Sequence, residues 1–177
     1  MIFAETRLKG IFVIELKKIE DDRGFFARAW CRKEFEEHGL NPNFVQANNA
    51  LSHRKNTLRG LHFQVAPDEE AKLIRCIQGA IFDVVVDLRP ASSTYKQWFG
   101  IELSMENRKM LYVSENFAHG YVSLKDNTEV FYLVSHYYSP DSEKGYCWDD
   151  PAFGIQWPVR KDLIVSEKDR QWPMFSG

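Results

Sequence analysis

The sequence predicts an all-β protein, a sandwich or barrel of many short strands with one clear helix. Three observations carry this. Short apolar runs separated by turn residues recur at close spacing along the 177 residues, and only one segment has a helical pattern. Aromatic residues reach 14%, with 13 Phe, 7 Tyr and 5 Trp, and such wide, flat side chains are best accommodated on pleated surfaces or in a pocket.

In chain order the strands are Ile11–Leu16, Phe44–Leu51, Leu58–Gln64, Lys72–Ile77, Ala80–Leu88, Trp98–Leu103, Met110–Val113 and Glu129–Tyr138. Ala80–Leu88 shows the period of two most clearly. Phe82, Val84, Val86 and Leu88 share one face, which reads as core; Ile81, Asp83, Val85 and Asp87 share the other, which reads as half-polar. The helix is Arg32–His38, with Glu and Lys along it and Gly39 as its stop. The stretch from Trp148, with Pro151, Pro158 and Pro173, reads as extended chain packed over the barrel. Without repeats or a Pro/Ser linker, residues 1–177 are expected to form a single domain, a length sufficient for its own core.

A formal net charge of -2 argues against nucleic acid or a membrane surface as partner, since both are met by a marked basic excess. Cys31, Cys76 and Cys147 are odd in number and lack CxxC spacing, so neither a disulfide framework nor a zinc knuckle is expected. The N-terminus has no signal-peptide pattern, and no apolar run approaches the ~20 residues of a membrane span. A cytoplasmic protein with reduced thiols is the expectation.

Several side chains could carry chemistry. His62 lies on a strand beside Gly60, where a missing side chain lets a ligand approach; it is either a proton acceptor or a hydrogen-bonded core histidine. Lys72 opens the strand KLIRCI and either carries its charge towards a cavity or lies exposed at the strand start. Tyr132, in EVFYLVSHYY, is a buried proton donor or an aromatic core residue. His119, in NFAHGY, sits in an expected turn, as a ligand contact or a plain turn residue. Asp169, in SEKDRQW, either orients a histidine or lies on the surface. Arg23 and Arg59 could meet a diphosphate through guanidinium forks, although Asp21, Asp22 and Arg23 also read as a charged turn. A metal-holding barrel would want a second histidine two positions after His62; Gln64 stands there, a poor ligand for a transition metal.

Taken together, DDRGFF, FVQANN, LRGLHFQ, AKLIRCIQGAIFDVVVDLRP, NFAHGY, EVFYLVSHYYSP, GYCWDDPAFGIQWP and SEKD resemble the dTDP-4-dehydrorhamnose 3,5-epimerase family, from about Gly10 to Asp169. The resemblance implies a cupin-like jelly-roll antiparallel barrel with a few short helices, without metal or cofactor, and a homodimer with strands exchanged or paired across the interface. It implies inversion of C3, C5 or both in a nucleotide-linked 4-keto-6-deoxy sugar. His62 would be the base, Asp169 its orienting partner, Tyr132 the acid and Lys72 the stabiliser of the enolate. Arg23, Gln46, Asn48, Arg59, His119, Glu143 and Lys168 would bind substrate, with Tyr138 stacked on the base. The ketone itself is the electron sink, so no cofactor is expected. Ala47 stands where the family often carries Asp, and Arg28 where it often carries Glu, which leaves a CDP- or GDP-linked sugar open beside dTDP. A 3-epimerase, a ketoisomerase and a non-catalytic sugar-nucleotide-binding barrel are the competing readings. Strict alternation places Arg59 and His62 on opposite strand faces, yet the resemblance uses both. Either Gly60 marks a bulge or Arg59 serves a partner's site.

Overall fold

The computed structural model describes residues 1–176; Gly177, the last residue of the expected domain, lies outside them. The strands are β1 (Ile2–Glu5), β2 (Ile11–Glu15), β3 (Ile19–Asp21), β4 (Gly24–Phe26), β5 (Gln46–Ser52), β6 (Thr57–Gln64), β7 (Lys72–Gln78), β8 (Ala80–Asp87), β9 (Trp98–Ser104), β10 (Met110–Val113), β11 (Phe117–Ser123), β12 (Thr128–Val134), β13 (Glu143–Gly145) and β14 (Ile164–Val165). Helix α1 covers Arg32–Glu37 and α2 covers Glu167–Arg170. One sheet runs β1-β2-β10-β7-β12-β5 and a second runs β13-β6-β11-β8-β9, with β14 added in parallel to β6. These two sheets face each other as a jelly roll whose sheets do not close into a ring; β3 and β4 form a separate hairpin. No helix among the described residues is long and apolar enough to cross a membrane.

Between the sheets lies a core to which the first sheet contributes Ile11, Ile74, Leu111 and Val130, and the second Ile81, Val85, Leu103 and Phe117. The outer face of the second sheet is covered by the C-terminal chain: Phe153, Ile155, Trp157 and Phe175 pack on Leu58, Val84, Val86 and Val122. Proline-rich extended chain thus acts as a third layer, as its composition suggests. Phe35 of α1, with Leu40 and Phe44, covers Ile14, Leu73 and Tyr112 on the outside of the first sheet.

Both faces of β8 are buried, which corrects the expectation of a half-polar face: the C-terminal chain covers the Val84 and Val86 face, and the first sheet covers the other. The face carrying Asp83 and Asp87 is the inner one, and both carboxylates are fully buried. Asp87 is fully bonded, whereas Asp83 is bonded through Oδ1 alone and its Oδ2 has no partner among the described residues. Asp87 accepts from Arg89 Nε and Nη2 at 2.8 and 2.7 Å and from the hydroxyls of Ser92 and Thr94 at 2.6 and 2.7 Å. Burial alone would raise this carboxyl, but those bonds outweigh it and hold it well below the usual range.

The segment around His119 also departs from expectation. It is the middle of β11, a central strand, and not a turn. Gly120 misleads here because it marks a close backbone approach instead of a reversal: a Cβ there would lie 2.8 Å from the Arg59 carbonyl oxygen and 3.1 Å from Gly60 Cα. Opposite it, Gly60 has φ +129, and a Cβ would meet Gly120 Cα at 2.5 Å.

Candidate active site

Those facing glycines settle which way Arg59 and His62 point. In the ladder, His119 pairs with His62 and Tyr121 pairs with Arg59. β11 therefore advances two residues while β6 advances three, and the extra residue is a bulge beside Gly60. Arg59 and His62, which regular alternation would separate, both line the space between the sheets.

That space is a cleft with two chambers of about 310 and 270 Å³ that share His62, Lys72 and Tyr132. His62 stands on β6 of one sheet, whereas Tyr132 on β12 and Lys72 on β7 belong to the other. The imidazole and the phenol therefore stand on opposite walls. His62 Nε2 lies 2.6 Å from Asp169 Oδ1. Asp169 is only 4% exposed; Ser166 caps the short α2 by accepting from the Asp169 N–H at 3.1 Å, and Asp169 Oδ2 accepts from the Gly60 N–H at 3.3 Å. Burial pushes the Asp169 carboxyl up, but the bonds from His62, Gly60 and Ser166 outweigh it and hold it below its ordinary 3.8. An ionised carboxylate only accepts, so Nε2 carries the proton, and in the neutral ring the lone pair is then on Nδ1. The surface alternative for Asp169 is thus replaced by a buried pair.

Lys72 is in the cleft instead of exposed at its strand start: its side chain is 11% exposed and ion-paired with Glu70, whose own is 10% exposed. Tyr132 is half-buried beside them. Burial raises its phenol above the ordinary value, the Glu70 carboxylate adds to this, and Arg59 opposes it. His119 Nε2 is bonded to the fully buried Asp83 at 2.7 Å, a second histidine–carboxylate pair on the same wall. Arg59 donates from Nη2 to the Leu51 carbonyl at 3.1 Å, and its Nε has no partner among the described residues.

Polar groups from both sheets complete the lining. Lys168 Nζ donates to Glu143 at 2.6 and 2.7 Å, Tyr138 Oη donates to Glu143 at 2.8 Å, and Gln46 bonds Asn48 at 3.0 Å. Burial raises Glu143, but bonds from Lys168 and Tyr138 prevail and lower it below its ordinary value. Gln64 is committed to structure: its amide donates to the Asp68 and Tyr137 carbonyls and accepts from the Ser139 N–H.

Eleven of the twelve expected site residues thus line one cleft; Arg23 does not. It sits at the turn of the exposed β3–β4 hairpin, 90% exposed and paired with Asp21 at 2.6 Å. Ala47 and Arg28 are likewise off this cleft: Ala47 is exposed, between Gln46 and Asn48, and Arg28 pairs with Glu34 at 2.8 Å. Sequence reasoning missed Glu70 and Tyr121, which line the cleft, Asp83, which bonds His119, and Trp172, whose ring lies edge-on to His62 at 6.1 Å. A usable signal exists for Glu70, which precedes Lys72 by two and so shares its side of an extended chain. Asp83 is visible as a carboxylate alternating with Ile81 and Val85, but its histidine comes from another strand.

Known proteins share this arrangement of sequence and fold. Residues 5–177 match the family model described as dTDP-4-dehydrorhamnose 3,5-epimerase. A dTDP-4-dehydrorhamnose 3,5-epimerase from Methanothermobacter thermautotrophicus is 46% identical over 172 residues, covering 96% of this chain and 92% of that protein. The crystal structure of the Bacillus anthracis dTDP-4-dehydrorhamnose 3,5-epimerase, with TDP and PPi bound, superposes with a TM-score of 0.94 at 43% identity, covering 98% of this chain and 99% of the other. A dTDP-6-deoxy-D-glucose-3,5-epimerase from Legionella pneumophila, in complex with dTDP-4-keto-L-rhamnose, gives 0.91 at 36% identity, with 98% and 92% covered.

Proposed function

Since the chain belongs to the dTDP-4-dehydrorhamnose 3,5-epimerase family, we propose that it converts dTDP-4-dehydro-6-deoxy-D-glucose to dTDP-4-dehydro-L-rhamnose as a single domain spanning 1–177, in the cytoplasm. The observation that carries this reading is the His62–Asp169 pair facing Tyr132 across a cleft that also holds Lys72. The C4 ketone acidifies the C–H bonds at C3 and C5. His62 Nδ1 takes one of these protons, and the electron pair of the broken bond moves onto the C4 oxygen as an enolate. The Lys72 ammonium stabilises the charge developing there. Tyr132 then gives its proton to the same carbon from the opposite face, which inverts it, and the electron pair returns from oxygen to carbon. In a gluco-configured chair the hydrogens of C3 and C5 are both axial on one face, so one base serves both centres. Imidazolium and phenolate re-equilibrate with solvent between steps. Gln46, Asn48, Arg59, His119, Glu143 and Lys168 bind the substrate, with Tyr138 against the nucleotide base.

The test is incubation with this sugar nucleotide in deuterated water, beside the CDP- and GDP-linked analogues. Deuterium at both C3 and C5 of an inverted product is expected. Label at C3 alone would make the protein a 3-epimerase, a displaced carbonyl would make it a ketoisomerase, and no label would overturn the proposal.

The active assembly proposed is a homodimer. Ile19 and Phe26 on the β3–β4 hairpin are 68% and 71% exposed, an apolar surface that a second copy would cover. Arg23 on the same hairpin would then meet the neighbour's cleft, where a diphosphate needs guanidinium partners. Sedimentation at micromolar concentration is expected to give twice 20.7 kDa; a monomer alone would rule the dimer out.

A further inference from the structure

We propose that Glu70 is a positioning residue of the epimerisation site, holding the Lys72 ammonium at the cleft wall and keeping a negative charge beside the Tyr132 phenol. The inference rests on the roles proposed above for Lys72 and Tyr132. Glu70 lies just ahead of β7, two residues before Lys72, and both side chains enter the same chamber as His62 and Tyr132. Both are about nine-tenths buried, and each is the other's ion-pair partner. A lysine has four rotatable bonds and three donors, and as a point charge it imposes no geometry of its own. Tethering its Nζ to a buried carboxylate removes that freedom before substrate arrives, so the charge is already placed when the C4 oxygen becomes anionic.

The second effect is electrostatic. The charged and titratable groups around Tyr132 are Glu70 and Lys72 at the start of β7, Arg59 and His62 on β6, and His119 and Tyr121 on β11. Asp169 faces His62, Asp83 faces His119 and Lys168 faces Glu143. Glu70 is therefore the carboxylate that acts on the phenol. It adds to the upward push of burial, while Arg59 pulls the other way. A proton donor must be protonated when the enolate forms, and an anion beside the phenol favours that state.

Glu70→Gln keeps the shape of the side chain and removes its charge. The sign follows from the electrostatics: with the anion gone the phenol ionises more readily, so the alkaline limb of the kcat profile moves to lower pH. At neutral pH kcat is expected to fall on the order of tenfold with KM within about twofold, because the tether matters to a charge that exists only in the transition state. Thermal unfolding and dTDP binding are measured alongside to establish that the variant is folded. Glu70→Asp, which keeps the charge, is expected to restore the alkaline limb. A Glu70→Gln profile superimposable on that of the unmodified enzyme, with equal kcat, overturns the inference. Lys72→Met and Tyr132→Phe are run in parallel. If they also leave turnover intact, the assignment of the site has failed; if they abolish it while Glu70→Gln leaves kcat and the pH profile unchanged, only the role of Glu70 has failed.

Discussion

Replacing His62 by Asn or Ala is expected to eliminate both formation of inverted product and wash-in of solvent deuterium, each by roughly 10²–10⁴-fold. Both readouts fall together because proton abstraction precedes everything else: without an enolate there is nothing to relabel and nothing to invert. His62→Asn keeps a planar polar group at the position but one without a basic lone pair, so loss of activity in that variant separates the missing base from the missing side chain of His62→Ala. Asp169→Asn is expected to be a weaker copy of the same defect. The amide offers an oxygen or an NH2 to Nε2, so the tautomer with its lone pair on Nδ1 is no longer enforced. Because the folded Asp169 carboxyl lies below its ordinary 3.8, its contribution to stability is complete above that ordinary value and is lost as pH falls through the depressed one. The tautomer is thus fixed throughout neutral pH. Near-normal exchange at C3 and C5 in His62→Ala would place the base elsewhere and discard the mechanism.

His62 is legible as a candidate base in the sequence, though its geometry is not. The strand runs are legible because short apolar stretches recur between turn residues, and β7, β8, β9 and β10 begin where those runs begin. The short strands β1, β3, β4, β13 and β14 are not, because two to four residues at an edge or in a hairpin carry too little periodicity. β11 is hidden by Gly120, whose role exists only opposite Gly60 on another strand. The site is legible as a set of residue types tied together by resemblance; read singly, Lys72, Tyr132 and Asp169 are as compatible with surface or core. Pairing across the fold decides them: Asp169 is 107 residues from His62 and Asp83 is 36 from His119. Arg59 and His62 require a bulge, which alternation can only flag as a conflict. Arg23 stays outside the cleft because no property of one chain brings that hairpin there.

The acid can be separated from the base in one experiment. Tyr132→Phe keeps the ring on its wall of the cleft and removes only the hydroxyl, so the packing of the ring is retained. The His62–Asp169 pair on the opposite wall is untouched, and Lys72 with Glu70 still meets the C4 oxygen. Abstraction therefore continues, and the imidazolium exchanges its proton with solvent before returning it to the face from which it came. Deuterium accumulates at C3 or C5 of recovered starting material, while inverted product falls by roughly 10²–10⁴-fold. In the unmodified enzyme the phenol is protonated at neutral pH, as a tyrosine ordinarily is, and burial first and Glu70 second, against the pull of Arg59, extend that state to higher pH, so delivery from the far face is expected to compete successfully with return from the near one. The diagnostic quantity is the ratio of label in unreacted substrate to label in product, followed by NMR in deuterated water. That ratio should rise steeply in Tyr132→Phe, whereas in His62→Asn neither substrate nor product takes up label. If exchange and inversion fell together in Tyr132→Phe, the phenol would be needed for abstraction itself and could not be assigned as the acid alone; if inversion persisted at the original rate, the proton would come from another group on that wall.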